Sequence, residues 1–218
     1  MNEVLHPRDS SIASPALLTL ARLLAAVGWL SLILQFFLSI DYQLQRGHDV
    51  AYGVFMYAGY FTILTNLFCA LVATAFAIRV DANSKWIAWR TPWVVTAAAV
   101  AIVMVGAIFH VMLRHTYQPQ GLAVLTNLLH HYAIPVVFPV LWWLTVRRGS
   151  VDWSDLTRVF AYPAAYLVYI VLRGEVSGIY PYPFLDVPQI GYTQVLMNSA
   201  GISLIFTVTG LAFIAIKR

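Results

Sequence analysis

Apolar residues fill six long stretches of the chain, and shorter polar segments separate them. The stretches lie at about 17–40, 53–78, 92–113, 122–146, 158–173 and 190–216. A helix needs roughly 20 residues to cross the hydrocarbon core of a bilayer, and such boundaries are uncertain by about 2 to 4 residues. The pattern therefore predicts an all-α polytopic membrane protein, a bundle of six transmembrane helices that forms one domain over residues 1–218.

Composition and charge place this bundle in a membrane and indicate its orientation. Hydrophobic residues make up 61% of the chain and charged residues 10%, against about 25% charged residues in soluble domains. Ten of the thirteen Lys and Arg residues fall in the N-terminal segment, the loops after the second and fourth stretches, and the C-terminus. This bias predicts that both termini are cytoplasmic. It also explains the basic charge without a nucleic-acid partner.

The N-terminal segment and the single cysteine set two further limits. The first apolar stretch follows a polar segment, MNEVLHPRDSSIAS, and is longer than a signal-peptide core. We therefore expect it to be retained. Cys69 is the only cysteine, so neither an internal disulfide nor a cysteine-based metal cluster can form.

Several polar residues interrupt the apolar stretches at helical spacing. Thr62 and Asn66 are four residues apart, as are Asn127 and His131, so each pair shares one helix face. His130 and His131 project about 100° apart, so only one of them can point along the Asn127–His131 direction. Polar groups inside a membrane face the bundle interior or a water-filled cavity. The spacing predicts two inward-facing polar patches.

Three of these polar groups are predicted to lie at one depth. Counted from the predicted outer ends of their helices, Thr62, His131 and Asn198 lie nine, nine and eight residues in. At 1.5 Å per residue this is about 12–14 Å, close to the middle of the bilayer. Pro135 cannot donate to the carbonyl of His131, so we expect a kink that leaves this carbonyl free beside the imidazole.

This set of residues is chemically sufficient for acyl transfer, although it also suits a structural role. A histidine can act as general base and activate the weakly nucleophilic hydroxyl of Thr62. Side-chain amides of Asn66, Asn127 or Asn198 could donate to an oxyanion. No strong acid is available to orient His131, so Asn127 or a tyrosine hydroxyl would have to do so. The same asparagines and threonines also act as interhelical hydrogen-bonding groups in membranes.

A second polar group is predicted at the outer rim. His110 and Arg114 share a helix face at the end of the third stretch. Tyr162, Tyr166, Tyr169 and Arg173 form one stripe in the fifth stretch. Either arginine could hold a substrate carboxylate through two parallel hydrogen bonds, or anchor its helix at the interface. The segment YPYPFLD that follows is expected to be extended, and to serve as an aromatic belt or as a lid.

Four segments resemble the androgen-induced and androgen-dependent membrane hydrolases, and most closely the bacterial branch of that family. They are YFTILTNL at 60–67, NLLHHYAIP at 127–135, YIVLRG at 169–174 and YPYPFLD at 180–186. The resemblance implies an integral protein of the bacterial inner membrane. It also implies an intramembrane threonine hydrolase without metal or cofactor, with Thr62 as nucleophile and His131 as base. The substrate class it implies is fatty acid esters of hydroxy fatty acids.

Two other classes of function fit the same residues. A lipid-binding or transport protein without chemistry would also need an apolar bundle with inward-facing polar groups. A haem-binding membrane protein could use His110, His130 or His131 as axial ligands. We find no phosphate-binding glycine loop, H-E-x-x-H or G-x-S-x-G motif, which disfavours soluble enzymes of those types.

Overall fold

The computed structural model describes residues 14–81 and 83–218, and within these ranges all regular secondary structure is helical. The predicted N-terminal polar segment, with Arg8, lies largely outside the described residues. The helices are α1 (Pro15–Leu44), α2 (Val50–Ala58), α3 (Phe61–Ala77), α4 (Pro92–Ile108), α5 (Leu122–Leu128), α6 (Ile134–Thr145), α7 (Asp155–Ser177) and α8 (Val187–Lys217). π-helical turns extend α4 (Phe109–Leu113) and join α5 to α6 (Leu129–Ala133), and 3-10 turns lie at Lys85–Arg90 and Pro183–Leu185.

The all-α prediction is confirmed, and several helices are long and apolar enough to span a membrane. Five segments meet that test, namely Pro15–Leu44, Pro92–Leu113, Leu122–Thr145, Asp155–Ser177 and Val187–Lys217. Large apolar side chains cover the outside of the bundle: Leu30, Val136 and Leu196 are 67%, 71% and 67% exposed. A surface of this kind is stable only against another apolar phase, as lipid provides.

The prediction of one straight helix over 53–78 is wrong. The chain forms α2 and α3 instead, two helices bent by 73° at a short break. Tyr60 at the break has an extended backbone (φ −88°, ψ 126°). Gly59 precedes it, and a Cβ at Gly59 would lie 2.6 Å from Nη1 of Arg173. The absence of a side chain at Gly59 therefore lets the guanidinium of Arg173 approach the backbone at the break.

Helix α4 lies at the centre of the bundle. Its side chains from Val95 to Ile102 are almost fully buried, and four of them are alanines. Small residues allow neighbouring helix backbones to approach closely in a membrane bundle. α4 accordingly contacts α3, α6, α7 and α8. The two helices that carry Thr62 and His131 thus pack against the same central helix.

The region around Pro135 is packed rather than open. Pro135 has no N–H group to donate to the carbonyl of His131. The π turn Leu129–Ala133, whose backbone holds about one extra residue per turn, accommodates this loss. A Cβ added at Gly106 of α4 would lie 3.0 Å from Cβ of Pro135 and 3.2 Å from the carbonyl oxygen of His131. The carbonyl predicted to line an opening therefore packs against Gly106.

Candidate active site

The hydroxyl of Thr62 and the imidazole of His131 meet between α3 and the π turn that precedes α6. Thr62 Oγ1 lies 3.4 Å from His131 Nε2. The ring of Phe109 stacks on the imidazole, with centroids 3.8 Å apart and planes within 16°. The contact predicted between these two residues is therefore present, and an aromatic face fixes the plane of the imidazole.

Asn127 determines which nitrogen of His131 carries the proton. His131 Nδ1 lies 2.9 Å from Oδ1 of Asn127 and 3.2 Å from its backbone carbonyl oxygen. Carbonyl oxygens accept hydrogen bonds and do not donate them, so the proton must lie on Nδ1. Nε2 then presents its lone pair to Thr62, as a general base requires. The structure thus gives Asn127 the orienting role that the sequence left open between Asn127 and a tyrosine.

The helix break leaves free backbone donors beside the Thr62 hydroxyl. The N–H groups of Ile63 and Leu64 donate to the carbonyl of Tyr60, at 3.1 and 3.2 Å. Phe61 and Thr62 occupy the first two positions of α3, where an N–H group has no carbonyl of its own helix to reach. The break therefore supplies two N–H donors next to a hydroxyl.

The predicted stripe on α7 holds the broken segment in place. Tyr166 donates to the carbonyl of Gly59 at 2.9 Å, and Tyr169 donates to that of Ala58 at 3.3 Å. These carbonyls would accept from N–H groups of α3 if the helix were continuous. The two tyrosines therefore pair two carbonyls that the break would otherwise leave without a donor.

Tyr162 and Arg173, at the two ends of the stripe, also contact residues on either side of the break. The Tyr162 hydroxyl lies 2.9 Å from Oγ1 of Thr65. Arg173 donates to the backbone carbonyl of Phe55 at 2.9 Å, and its guanidinium carbon lies 3.7 Å from the centroid of the Phe55 ring. Arg173 is 8% exposed. The contacts of Arg173 therefore stabilise the fold around the break.

Thr62 also lies on the wall of an apolar cavity of about 270 Å³. The cavity is lined by side chains from α3, α4, α7, α8 and the 3-10 turn, and none of them is charged. Ser199 and Ser203 of α8 are the other lining residues with aliphatic hydroxyl groups. A pocket of this composition suits an alkyl or acyl chain with one polar reacting group at its wall.

Tyr182, from the segment YPYPFLD, is a site residue that sequence reasoning missed. Its ring lines the cavity, is 8% exposed and stacks on Phe184 with centroids 5.1 Å apart. The phenol oxygen lies near the Thr62 hydroxyl and the backbone N–H groups of Phe61 and Thr62. The sequence predicts an aromatic belt or a lid for this segment and does not predict a contact with Thr62. It contains a short 3-10 turn where extended backbone was predicted.

Two of the predicted oxyanion donors are used elsewhere. Asn66 donates to the carbonyls of Thr62 at 2.8 Å and His130 at 3.4 Å, so it ties α3 to the π turn. Asn198 donates to the carbonyl of Phe184 at 2.9 Å. Among the described residues, no hydrogen bond joins Asn198 to Thr62 or His131. The equal depth predicted for Asn198 therefore does not bring it into this cluster.

The rim residues His110 and Arg114 form an exposed basic group. Arg114 Nη1 lies 2.9 Å from Nε2 of His110, and its Nε donates to His115 at 3.0 Å. All three are exposed, at the end of the helix whose Phe109 and Leu113 line the cavity. They can meet an anionic group at the mouth of the bundle.

His130 points away from His131, as predicted for adjacent helical residues. Its Nε2 lies 3.0 Å from Oγ of Ser31 on α1, and both residues are 2% exposed. The Ser31 hydroxyl donates to the carbonyl of Gly28 at 3.0 Å. The two histidines thus contact different helices and do not present their imidazoles to a common ligand. Within the described ranges, no group of three or more His, Cys, Asp or Glu residues is arranged to hold a metal ion.

No protein-family model, curated protein or solved structure matches this chain. The resemblance to the membrane hydrolases stays a prediction.

Proposed function

We propose that the protein is an intramembrane hydrolase that cleaves a lipid ester with Thr62 as nucleophile and His131 as general base. One observation carries the proposal. The Thr62 hydroxyl lies on the wall of an apolar cavity and contacts the nitrogen of an imidazole whose other nitrogen is held by Asn127. A hydroxyl, a base and a group that orients the base are the parts that nucleophilic acyl transfer needs.

The reaction proceeds in two acyl transfers. Oγ1 of Thr62 forms a bond to the ester carbonyl carbon while its proton moves to Nε2 of His131, and the carbonyl electron pair moves to oxygen. Collapse of this intermediate breaks the ester C–O bond, and the alcohol leaves with the proton from His131. Water then gives its proton to His131 as it attacks the acyl-threonine. The bond to Oγ1 breaks, Thr62 regains its proton from His131, and the fatty acid is released.

The backbone of α3 supplies the oxyanion donors in this proposal. The free N–H groups of Phe61 and Thr62 adjoin the nucleophile, and the positive end of the helix dipole lies at the same place. Removing a single oxyanion donor from a hydrolase lowers kcat by about 10²–10³-fold. Backbone donors take the role for which the sequence offered Asn66, Asn127 or Asn198 as alternatives.

The substrate proposed is a lipid ester whose acyl chain occupies the apolar cavity. The resemblance to the membrane hydrolases suggests fatty acid esters of hydroxy fatty acids, which also carry a free carboxylate. Of the predicted carboxylate ligands, Arg114 and His110 are exposed and free to meet it, whereas Arg173 is buried against Phe55. We therefore assign the carboxylate contact to Arg114 with His110.

The proposed setting is a bacterial inner membrane, with six spans and cytoplasmic termini. Counting the bent pair α2–α3 as one span gives six. The end of α8 and the loop after α6 lie together. The side-chain Nζ of Lys217 donates to the carbonyl of Trp143, and the backbone carbonyl of Lys217 accepts from the N–H group of Gly149, both at 2.7 Å. This brings two of the basic segments to one end of the bundle, as the charge bias requires.

The test is covalent labelling of the protein purified in detergent. A fluorophosphonate probe is expected to modify wild type on the peptide that contains Thr62, and both Thr62→Ala and His131→Ala are expected to lose the label. Ser31→Ala is the matched control, because it removes a hydroxyl that also contacts a histidine but does not line the cavity. Labelling that persists in Thr62→Ala would show that another residue is the nucleophile.

A lipid-binding protein without chemistry is the second candidate, and the size and apolar lining of the cavity favour it. Both candidates bind a fatty acyl chain, so binding alone does not distinguish them. Hydrolysis of p-nitrophenyl octanoate does. Turnover by wild type that is lost in Thr62→Ala supports the hydrolase. Binding of a spin-labelled fatty acid without turnover in either protein supports the binding protein.

A further inference from the structure

The cavity wall next to Thr62 carries the phenol of Tyr182, which the mechanism above does not use. Tyr182 is anchored by its ring, which stacks on Phe184 and packs edge-on against Tyr60 with centroids 6.0 Å apart. Its oxygen lies near the Thr62 hydroxyl, the N–H groups of Phe61 and Thr62, and the hydroxyl of Tyr166. A single oxygen thus lies where the nucleophile and both backbone donors converge.

A substrate oxygen must lie close to this phenol oxygen. In a tetrahedral intermediate the oxyanion and the attacking oxygen are bonded to the same carbon, so the donors must surround a point next to Oγ1 of Thr62. Effective donors lie about 2.7–3.1 Å from the oxyanion. The phenol oxygen of Tyr182 lies beside the same two N–H groups. Its O–H group can therefore donate a hydrogen bond to an oxyanion that these N–H groups hold.

We infer that Tyr182 is a catalytic residue whose O–H group donates the third hydrogen bond to the oxyanion, beside the N–H groups of Phe61 and Thr62. This inference rests on the proposed ester hydrolysis. No proton is transferred in this step. The phenol keeps its proton, and the hydrogen bond shortens as negative charge develops on the carbonyl oxygen.

The protonation state of Tyr182 suits this role. Burial raises the pKa of Tyr182 to about 12. The phenol therefore remains neutral at physiological pH and can donate rather than repel the oxyanion. Burial also removes competing water, which strengthens a hydrogen bond to a charged oxygen.

The test compares Tyr182→Phe with wild type, using p-nitrophenyl octanoate as substrate. Phenylalanine keeps the ring contacts with Phe184 and Tyr60 and removes only the hydroxyl. We expect kcat to fall about 10²–10³-fold, as for loss of one oxyanion donor, with KM changed less than threefold. Tyr180→Phe is the matched control. It lies in the same segment, but its hydroxyl donates to Glu175 at 2.7 Å, away from Thr62, so its kcat should equal that of wild type.

A second measurement separates a catalytic from a structural effect. A trifluoromethyl ketone with an octyl chain forms a hemiketal oxyanion on the nucleophile, whereas octanoic acid occupies the cavity without doing so. In Tyr182→Phe, the Ki of the ketone should rise by the same factor as kcat falls, and the Ki of octanoic acid should not change. Equal weakening of both inhibitors, or an unchanged kcat, would overturn the inference. Failure of the hydrolase proposal has a different signature, since wild type itself would then show no turnover.

Discussion

Replacing Asn127 with leucine tests how the proposed base is oriented. The substitution removes Oδ1, which accepts from His131 Nδ1 at 2.9 Å, but keeps the backbone carbonyl oxygen at 3.2 Å as a second acceptor. The proton should therefore stay on Nδ1. The loss is confined to the additional hydrogen bond made by the side chain.

The magnitude follows from the charge that His131 gains in the transition state. A hydrogen bond from neutral imidazole contributes about 0.5–1.5 kcal/mol, and one from imidazolium about 1.5–3 kcal/mol. Only the difference, about 1–1.5 kcal/mol, affects kcat, because ground-state interactions cancel. This corresponds to a fall in kcat of about 5- to 13-fold. Removing the imidazole itself should cost about 10²–10⁴-fold.

The assay is steady-state hydrolysis of p-nitrophenyl octanoate, with thermal unfolding measured on the same preparations. Thr126→Val is the control. It breaks a hydrogen bond of similar position, from Thr126 to Gln35 at 2.5 Å, which does not involve His131. A fall of more than a thousandfold in Asn127→Leu would mean that the backbone carbonyl does not hold the tautomer, and an unchanged kcat would mean that Asn127 does not orient the base.

Three further outcomes are expected. Ala164→Trp places a large ring in the 270 Å³ cavity, so KM for a p-nitrophenyl decanoate ester should rise tenfold or more while turnover of the acetate ester is retained; equal loss for both esters would refute the acyl-chain assignment. Gly106→Ala adds a Cβ that would lie 3.0 Å from Cβ of Pro135 and 3.2 Å from the carbonyl oxygen of His131. It should therefore lower the free energy of unfolding by about 1–3 kcal/mol and reduce labelling of Thr62. Gly201→Ala, whose added Cβ meets nothing within 4 Å, is the control in the same unfolding experiment. Because the pKa of Tyr182 is raised to about 12, kcat of the wild type should stay constant from neutral pH through pH 10, where an ordinary tyrosine loses its proton. A fall in wild-type kcat centred near pH 10, absent in Tyr182→Phe, would contradict a buried phenol.

The shared helix face of Asn127 and His131 was predictable because helical spacing carries that information. Asn127 and His131 share a face by their spacing of four residues, and polar groups within a membrane helix have few places to go except the interior. The same rule separated His130 from His131 correctly. Spacing therefore placed Asn127 beside His131, whereas the pairing of Thr62 with His131 rested on equal predicted depth and on the resemblance, and the residue that orients His131 was left open.

The break between α2 and α3 was not predictable by the same reasoning. Hydropathy is a property of side chains, and residues 53–78 contain no charged residue that would mark an end of a helix. The bend depends on where backbone carbonyls find donors, and these come from Tyr166 and Tyr169, more than 100 residues away. The depth assigned to Thr62 assumed a straight helix, whereas Thr62 is the second residue of α3.

Helical spacing could not predict the role inferred for Tyr182 either. Tyr182 belongs to a connection between helices, and no periodicity relates such a segment to the helices it covers. Prolines at 181 and 183 restrict its backbone but do not specify which cavity its rings enter. The tyrosine stripe on α7 did give a signal, because several hydroxyls on one face require acceptors on a neighbouring helix.

The neutral side chain beside His131 has an electrical consequence. Asn127 stands where soluble hydrolases often place a carboxylate, so the proposed site holds no net charge before the ester arrives. Attack creates one positive charge on the imidazole and one negative charge on the carbonyl oxygen a few ångströms away, and both vanish when the intermediate collapses. A transmembrane voltage does work only on charge that moves through the field, about 2.3 kcal/mol per elementary charge for each 100 mV. A catalytic cycle that separates charge so briefly and over so short a distance should run at the same rate in energised and de-energised membranes.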